Sequence, residues 1–271
     1  RGEGMDLVDR YGPWALVTGG SEGTGAAFAR RLAAEGVNCI LVARRAAPLA
    51  ALAEDIRATT RVECVTAAVD LTAADALERI VAAVGTREVG LFVANAGADT
   101  NGAGFLDSDI ANWIDLVNLN VLSTMRCCHH FGGQMRARRR GGIILVGSGA
   151  CYGGMKGLAV YAGSKAFDLC FGEGLWSELR PHGVDVLNLV LGRTDTPAFR
   201  ALLAEKGLPV PPGLASPDDV AKVGLARLPH GPVHNWGQED DQAGYASNSA
   251  AARRARILAV EEASKAVLRK A

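Results

Sequence analysis

The chain has 271 residues and carries 29 basic against 29 acidic side chains, so its formal net charge is zero. That balance excludes the broad basic face by which dedicated nucleic-acid binders hold phosphates. An apolar share of 49% with 33 glycines supplies a sizeable core, no apolar run approaches the length of a membrane span, and the charged N-terminus carries no signal-peptide pattern.

Along the chain, apolar β-rich runs alternate with helical patterns. Strands are predicted over residues 14–18, 38–43, 62–68, 89–94, 142–147 and 184–190, all nearly continuous in apolar residues. Such runs suit a parallel sheet whose two faces are both covered by helices. Helices are predicted over 24–35, 48–59, 73–84, 109–138 and 160–180. Arg136, Arg138, Arg139 and Arg140 read as the C-terminal end of the fourth, where basic side chains complement the helix dipole. Strand–helix alternation implies right-handed crossovers. The expected fold is therefore α/β, a Rossmann-like doubly wound parallel sheet of about seven strands forming one domain over 1–271. After Val190 the texture becomes rich in Pro, Gly and Thr around an amphipathic piece at 198–206, which reads as a mobile lid around 193–215. Ser216 is a helix N-cap ahead of 217–227, residues 232–236 a short seventh strand, and 249–269 a terminal helix.

The run Thr18-Gly19-Gly20-Ser21-Glu22-Gly23-Thr24-Gly25 leaves the first predicted strand and opens the first helix. In that context glycines permit a tight turn and close backbone approach to a pyrophosphate, and the helix-start N–H groups hold the anion. A dinucleotide cofactor is expected there. An NAD site places a carboxylate at the end of the second strand, on the ribose 2′-hydroxyl. No acid occurs between Glu35 and Glu54, and the strand ends in Ala43-Arg44-Arg45. Guanidinium groups at that point pair with a 2′-phosphate, so NADP(H) is expected over NAD(H). For Arg45 an ordinary solvated side chain is the alternative.

Tyr161 and Lys165 stand four residues apart in a predicted helix, on one face. A free phenol, with a pKa of about 10, is a poor acid–base group near neutrality, and a cation beside it favours the phenolate. The pair therefore reads as a proton-transfer unit.

With these residues in view, the chain resembles the short-chain dehydrogenase/reductases, in their single-domain branch, over nearly its whole length. The family's glycine loop matches Thr18 to Gly25. Asp70-Leu71 follows the third strand, where the family contacts adenine, and Asn95-Ala96-Gly97 matches its element after the fourth. Asn120 falls where the family carries a helical Asn, with Asn118 an adjacent alternative, and twelve residues separate Ser148 from Tyr161, the family's spacing. The family's Pro-Gly after the sixth strand appears as Leu191-Gly192, followed by Thr194 and Thr196, and Thr24 replaces the usual branched apolar residue. The resemblance implies hydride transfer between a nicotinamide and a carbonyl–alcohol pair. Tyr161 would exchange the proton with the substrate oxygen, Ser148 bond the same oxygen, Lys165 activate Tyr161 and hold the nicotinamide ribose, and Asn120 hold a water in the proton path.

Residues expected to line the substrate pocket, besides Ser148 and Tyr161, are Cys151, Tyr152, Met155 and Leu158, with Phe199, Leu202 and Leu203 from the lid. Apart from Lys156 they are mostly apolar, which points to a hydrophobic ketone or alcohol. A 3-oxoacyl reductase and a non-catalytic NADP(H) sensor are the other readings; the first gains nothing from a neutral chain, and the second has no use for a complete proton relay. The pairs His129-His130 and His230/His234 lack metal-ligand context, so no metal is expected. Asp168, Glu173 and Glu178 read as helix-surface charges or subunit contacts. Phe167, Phe171, Leu175, Met125 and Cys128 serve the core or a partner copy in a homo-oligomer. The six cysteines show no paired spacing, and a reducing, cytoplasmic setting is expected.

Overall fold

A strand flanked on both faces by helices must be apolar at every position, and β1 (Trp14–Thr18) and β4 (Val89–Ala94) are buried along their whole length. The computed structural model describes residues 6–97 and 102–237, with 254, 255, 258, 259, 262 and 263 further on. Seven parallel strands form one sheet in the order β3-β2-β1-β4-β5-β6-β7. The remaining strands are β2 (Asn38–Ala43), β3 (Cys64–Ala68), β5 (Gly141–Ser148), β6 (Val184–Leu191) and β7 (Val233–Asn235). The order reverses beside β1, and the crevice between the carboxyl ends of β1 and β4 is where such sheets bind ligands.

Successive strand residues point to opposite faces, so the sheet divides its apolar side chains between two cores. Ala15, Val17 and Leu41 pack with Phe28 and Leu32 of α2 (Gly23–Ala34), Leu49 and Ile56 of α3 (Ala46–Thr59), and Val220 and Leu225 of α9 (Pro217–Arg227). Leu16, Ile40, Val42 and Phe92 face the other way, against Ile80 of α4 (Ala76–Val84) and Phe131 and Met135 of α6 (Ser123–Arg138). Each fully buried Val, Leu, Ile, Phe or Met among them contributes roughly 1.5–3 kcal/mol. Ser216 caps α9 as expected, its Oγ accepting from the Asp219 N–H at 3.1 Å.

Several boundaries differ from the sequence reading. β3 begins at Cys64, β7 spans Val233–Asn235, and α4 starts at Ala76. A short helix, α1 (Leu7–Tyr11), precedes β1, capped by Asp6 and anchored by the buried Leu7 and Tyr11. The helix predicted over 109–138 is interrupted: α5 (Ile110–Val117) passes through a π turn at Asn118–Leu122 before α6 begins. In that turn the Ser123 N–H bonds the Asn118 carbonyl, five residues back, and the bypassed Leu119 carbonyl accepts from Ser123 Oγ at 2.8 Å. The wide turn is thereby satisfied locally. α7 (Ala159–Leu179) and α8 (Pro197–Glu205) complete the helices of these segments. The terminal helix expected over 249–269 lies mostly outside the described residues. No helix among them is long and apolar enough to cross a membrane.

Candidate active site

From β1 the chain turns through Gly19 (φ +64°) and Gly23 (φ +54°), angles that only glycine adopts without cost. The turn is tight: Asn95 Nδ2 donates to the Gly19 carbonyl at 3.1 Å, and Thr18 Oγ1 reaches the Val93 carbonyl at 3.4 Å. The Glu22 side chain makes no capping bond to α2. The first-turn N–H groups of α2 thus form a donor array suited to an anion. The Glu22 carboxylate beside that array is engaged by Arg45 in an ion pair.

Two adjoining cavities lie along the strand ends, sharing Asn95 and Gly97 in their walls. The first, about 510 Å³, is lined by Gly19, Arg44, Asp70, Leu71 and Ala96 on the sheet side and by Asn112, Asp115 and Leu116 of α5. Asp70 accepts from the Thr72 N–H at 3.0 Å and from its hydroxyl at 2.8 Å, and these bonds hold its carboxyl below the usual range. The second cavity, about 340 Å³, is lined by Glu22, Gly23, Thr24, Ser148, Tyr161, Lys165, Gly192, Arg193, Thr194, Thr196 and Phe199. The chain's own residues fit an extended dinucleotide: a glycine cradle, a donor array for phosphates, and a half-open trough on either side. Ser21 in the glycine turn, Gly25 in the first turn of α2 and Arg45 after β2 line neither cavity.

Tyr161, Lys165 and Asp168 lie on one stripe of α7. Lys165 is 6% exposed, its Nζ donating to the Val146 carbonyl at 3.1 Å and lying 5.9 Å from the Tyr161 ring centroid. Ser148 ends β5, and its Oγ accepts from the Ala150 N–H at 3.2 Å, leaving the hydroxyl proton available. The π turn aims Asn120, rather than Asn118, inward: Asn120 is 1% exposed, and its Nδ2 donates to Ser164 Oγ at 3.1 Å. Among the described residues its buried Oδ1 has no hydrogen-bond partner. A Cβ on Gly97 would stand 2.8 Å from that Oδ1 and 3.5 Å from Lys165 Nζ, so both groups crowd the point where the two cavities meet.

Asp168 is a correction to the sequence reading. It is no surface charge but 4% exposed, with Oδ2 at 3.4 Å from Lys165 Nζ. α7 packs against β6 and β5 on this side, so Tyr161, Lys165 and Asp168, at i, i+4 and i+7, all turn inward. That spacing was the available signal. Burial raises the Asp168 carboxyl above its ordinary value, with the Lys165 ammonium opposing. The remaining expected pocket residues divide. Phe199 lines the second cavity. Cys151 is buried in the turn after β5, and the Tyr152 hydroxyl meets Asn235 Oδ1 at 2.7 Å. Met155, Leu158 and Leu202 line neither cavity, and Leu203 is the buried residue of α8. Arg193, which the sequence reading passed over, stands in the cavity wall beside Gly192. Cys128 belongs to the core on the α6 side. All six cysteines are free, and among the described residues no cluster of metal-ligating side chains occurs.

The short chain dehydrogenase family profile matches residues 13–207. The 7beta-hydroxysteroid dehydrogenase of Mediterraneibacter gnavus is 30% identical over 226 residues, covering 83% of this chain and 86% of that protein. A very-long-chain 3-oxoacyl-CoA reductase of Podospora anserina is 34% identical over 189 residues, 68% of this chain and 56% of that one. The solved structure of a short-chain dehydrogenase from Sphingobium yanoikuyae in complex with NADPH superposes with a TM-score of 0.74 at 26% identity, covering 96% of this chain and 97% of that one. The chain belongs to the short-chain dehydrogenase/reductase family, whose members are NAD(P)-dependent oxidoreductases acting on CH–OH and C=O groups.

Proposed function

We propose that the protein is an NADP(H)-dependent oxidoreductase interconverting a hydrophobic ketone and its secondary alcohol. The observation that carries this reading is the convergence of Ser148, Tyr161 and Lys165 on one cavity wall with Asn120 behind them. The glycine turn and the α2 donor array hold the pyrophosphate, and Thr194 and Thr196 flank the nicotinamide end. When bound, the nicotinamide supplies or accepts the reducing equivalent. Tyr161 gives its proton to the developing alkoxide, and Ser148 donates a hydrogen bond to the same oxygen, stabilising charge where it forms. The Lys165 ammonium favours the phenolate that Tyr161 becomes, and Asn120 Oδ1 holds a water on the route by which the proton is restored.

Arg44 supports the choice of NADP(H). It reaches the first cavity from the end of β2, which itself carries no acidic residue, while Asp70 lines the same cavity from the end of β3. Apolar Phe199 and Leu191 in the second cavity, and the likeness to a hydroxysteroid dehydrogenase, support a bulky apolar substrate; the segment around 193–215 acts as its lid, within one domain. A 3-oxoacyl thioester is the second reading, supported by the likeness to the Podospora reductase. Exposed Leu106, Ile110 and Ile114 on and before α5 support pairing of two copies.

The test is NADPH consumption, with NADH alongside, against steroid and aromatic ketones, 3-oxoacyl-CoA esters and small anionic keto acids. Turnover of apolar ketones with NADPH, abolished in Tyr161→Phe while coenzyme affinity is retained, is expected. A preference for small keto acids overturns the substrate reading, and undiminished turnover in Tyr161→Phe overturns the mechanism.

A further inference from the structure

The catalytic reading leaves one ionisable group beside Lys165 without a role. Asp168 is a buried carboxylate that sits one helical turn beyond Lys165, on the side away from Tyr161. An unpaired charge in such a place is expensive, and removing one member of a buried pair strands the other. Asp168 therefore accompanies the Lys165 ammonium in the same buried surroundings. That ammonium has three N–H donors. One goes to the Val146 carbonyl at 3.1 Å, one points toward Asp168 Oδ2 at 3.4 Å, and the third is left for the Tyr161 side.

We propose that Asp168 is a positioning residue: it orients the Lys165 ammonium beneath Tyr161 and, through its negative charge, sets the pH at which the Tyr161 phenolate forms. The inference rests on the proton-transfer reading of that pair. Its charge matters more than its bond, because 3.4 Å is longer than the roughly 2.7–2.9 Å of a tight charge-assisted contact.

The surroundings isolate this effect. From α6 the group facing Asp168 is Cys128, whose thiol burial holds well above its ordinary value and so keeps neutral. β5 contributes no ionisable side chain, and on β6 Asp185 is occupied at the far end of the strand by Arg10 and Tyr11, each at 2.7 Å. Asn120 and Ser164 pack nearby without charge. With Asp168 ionised, its charge offsets part of the nearer Lys165 charge that Tyr161 feels. A neutral residue at 168 leaves the ammonium uncompensated. Loss of a nearby anion leaves the phenolate more strongly favoured by the ammonium, so phenolate formation moves to lower pH, whereas prior release of the Lys165 proton would move it the other way.

The experiment is a pH titration of phenolate absorbance in the full-length protein without coenzyme, the Tyr161 component being defined by its loss in Tyr161→Phe. In Asp168→Asn, which keeps an acceptor of the same shape, the midpoint is expected to fall by about one pH unit. Asp168→Glu, which keeps the charge, is expected to stay near the unaltered protein. A midpoint in Asp168→Asn that coincides with that of the unaltered protein, or lies above it, overturns the proposal. If the Asn variant does not fold, isotope-edited NMR of the Asp168 carboxyl in the unaltered protein decides. A carboxyl still protonated where Tyr161 titrates overturns the proposal, and an ionised one supports it. The ketone panel keeps the two readings separate. A shifted midpoint without turnover by the unaltered protein sinks the oxidoreductase reading alone, whereas turnover with coincident midpoints sinks only the role of Asp168.

Discussion

Replacing Gly25 with alanine sets two effects of opposite sign against each other. Gly25 lies in the first turn of α2, where exchanging glycine for alanine favours the helix by about 1 kcal/mol. The added Cβ, however, would stand 2.0 Å from the Gly19 carbonyl oxygen and 2.7 Å from Asn95 Nδ2, where ordinary contact begins near 3.4 Å. The glycine turn must retreat by more than an ångström, which costs about 1–3 kcal/mol as overpacking. The Asn95–Gly19 hydrogen bond goes with it, worth about 1 kcal/mol. The clash wins, with a net loss of about 2 kcal/mol, a fall in melting temperature of roughly 4–8 °C for a chain of this size. Because the displaced turn is also the proposed phosphate cradle, saturating NADPH should no longer raise the melting temperature. Gly133→Ala on α6 is the control: its Cβ meets nothing within 4 Å, so only the helix gain of up to about 1 kcal/mol remains. Differential scanning fluorimetry with and without NADPH reads all three proteins. A Gly25→Ala variant that melts with the unaltered protein and keeps its NADPH response would refute the close-approach argument.

Arg44→Ala should weaken NADPH binding about tenfold, a charged contact at a half-open site, while leaving NADH nearly unchanged; equal losses for both coenzymes in fluorescence titration would remove Arg44 from the 2′-phosphate. Arg45→Ala should instead weaken both coenzymes alike, since it leaves Glu22 uncompensated beside the α2 donor array. Tyr11 is fully buried and donates to Asp185 at 2.7 Å, and burial, reinforced by the Asp185 charge, raises its phenol above the ordinary 10.0. A phenol whose ionisation is harder in the folded state stabilises fully below pH 10.0 and loses that contribution as pH rises further. Urea melts of Tyr11→Phe should therefore show lower stability at neutral pH and a shallower alkaline decline; an unchanged alkaline slope would contradict this.

Much of the architecture was legible because burial on both faces leaves unbroken apolar runs: β1, β2 and β4 begin and end where those runs do. What local pattern could not carry was register within a long helix. Apolar spacing through 109–138 is as compatible with a continuous α-helix as with one containing a wide turn, and only packing of Asn120 against Ser164 distinguishes them. α1 was missed because five residues carry too little periodicity, and its stability comes from Tyr11 reaching β6. At the site, the motif residues around both cavities were nameable since their spacing is fixed by strand ends. Tyr152 and Cys151 were placed by proximity in sequence, but the turn after β5 directs one to Asn235 and buries the other. Asp168 went astray for a different reason. A charge on a helix is solvated by default, and only its phase relative to Tyr161 and Lys165 marks it as inward. The partnering of Arg45 with Glu22 joins two loops 23 residues apart and has no local signature.

The wide turn at Asn118–Leu122 has a consequence for how this stretch tolerates change. Deleting one residue there would let the chain relax into regular helix, since Ser123 could then drop its detour to the Asn118 carbonyl. A wide turn already absorbs one residue more than a regular one, so its removal leaves α5 and α6 in phase and falls on the turn itself. The amide of Asn120 would swing off the crevice, although no side chain had been altered. Side-chain exchanges along the solvent side are absorbed, whereas a single-codon deletion is not, so chain length in this segment is itself part of the machinery.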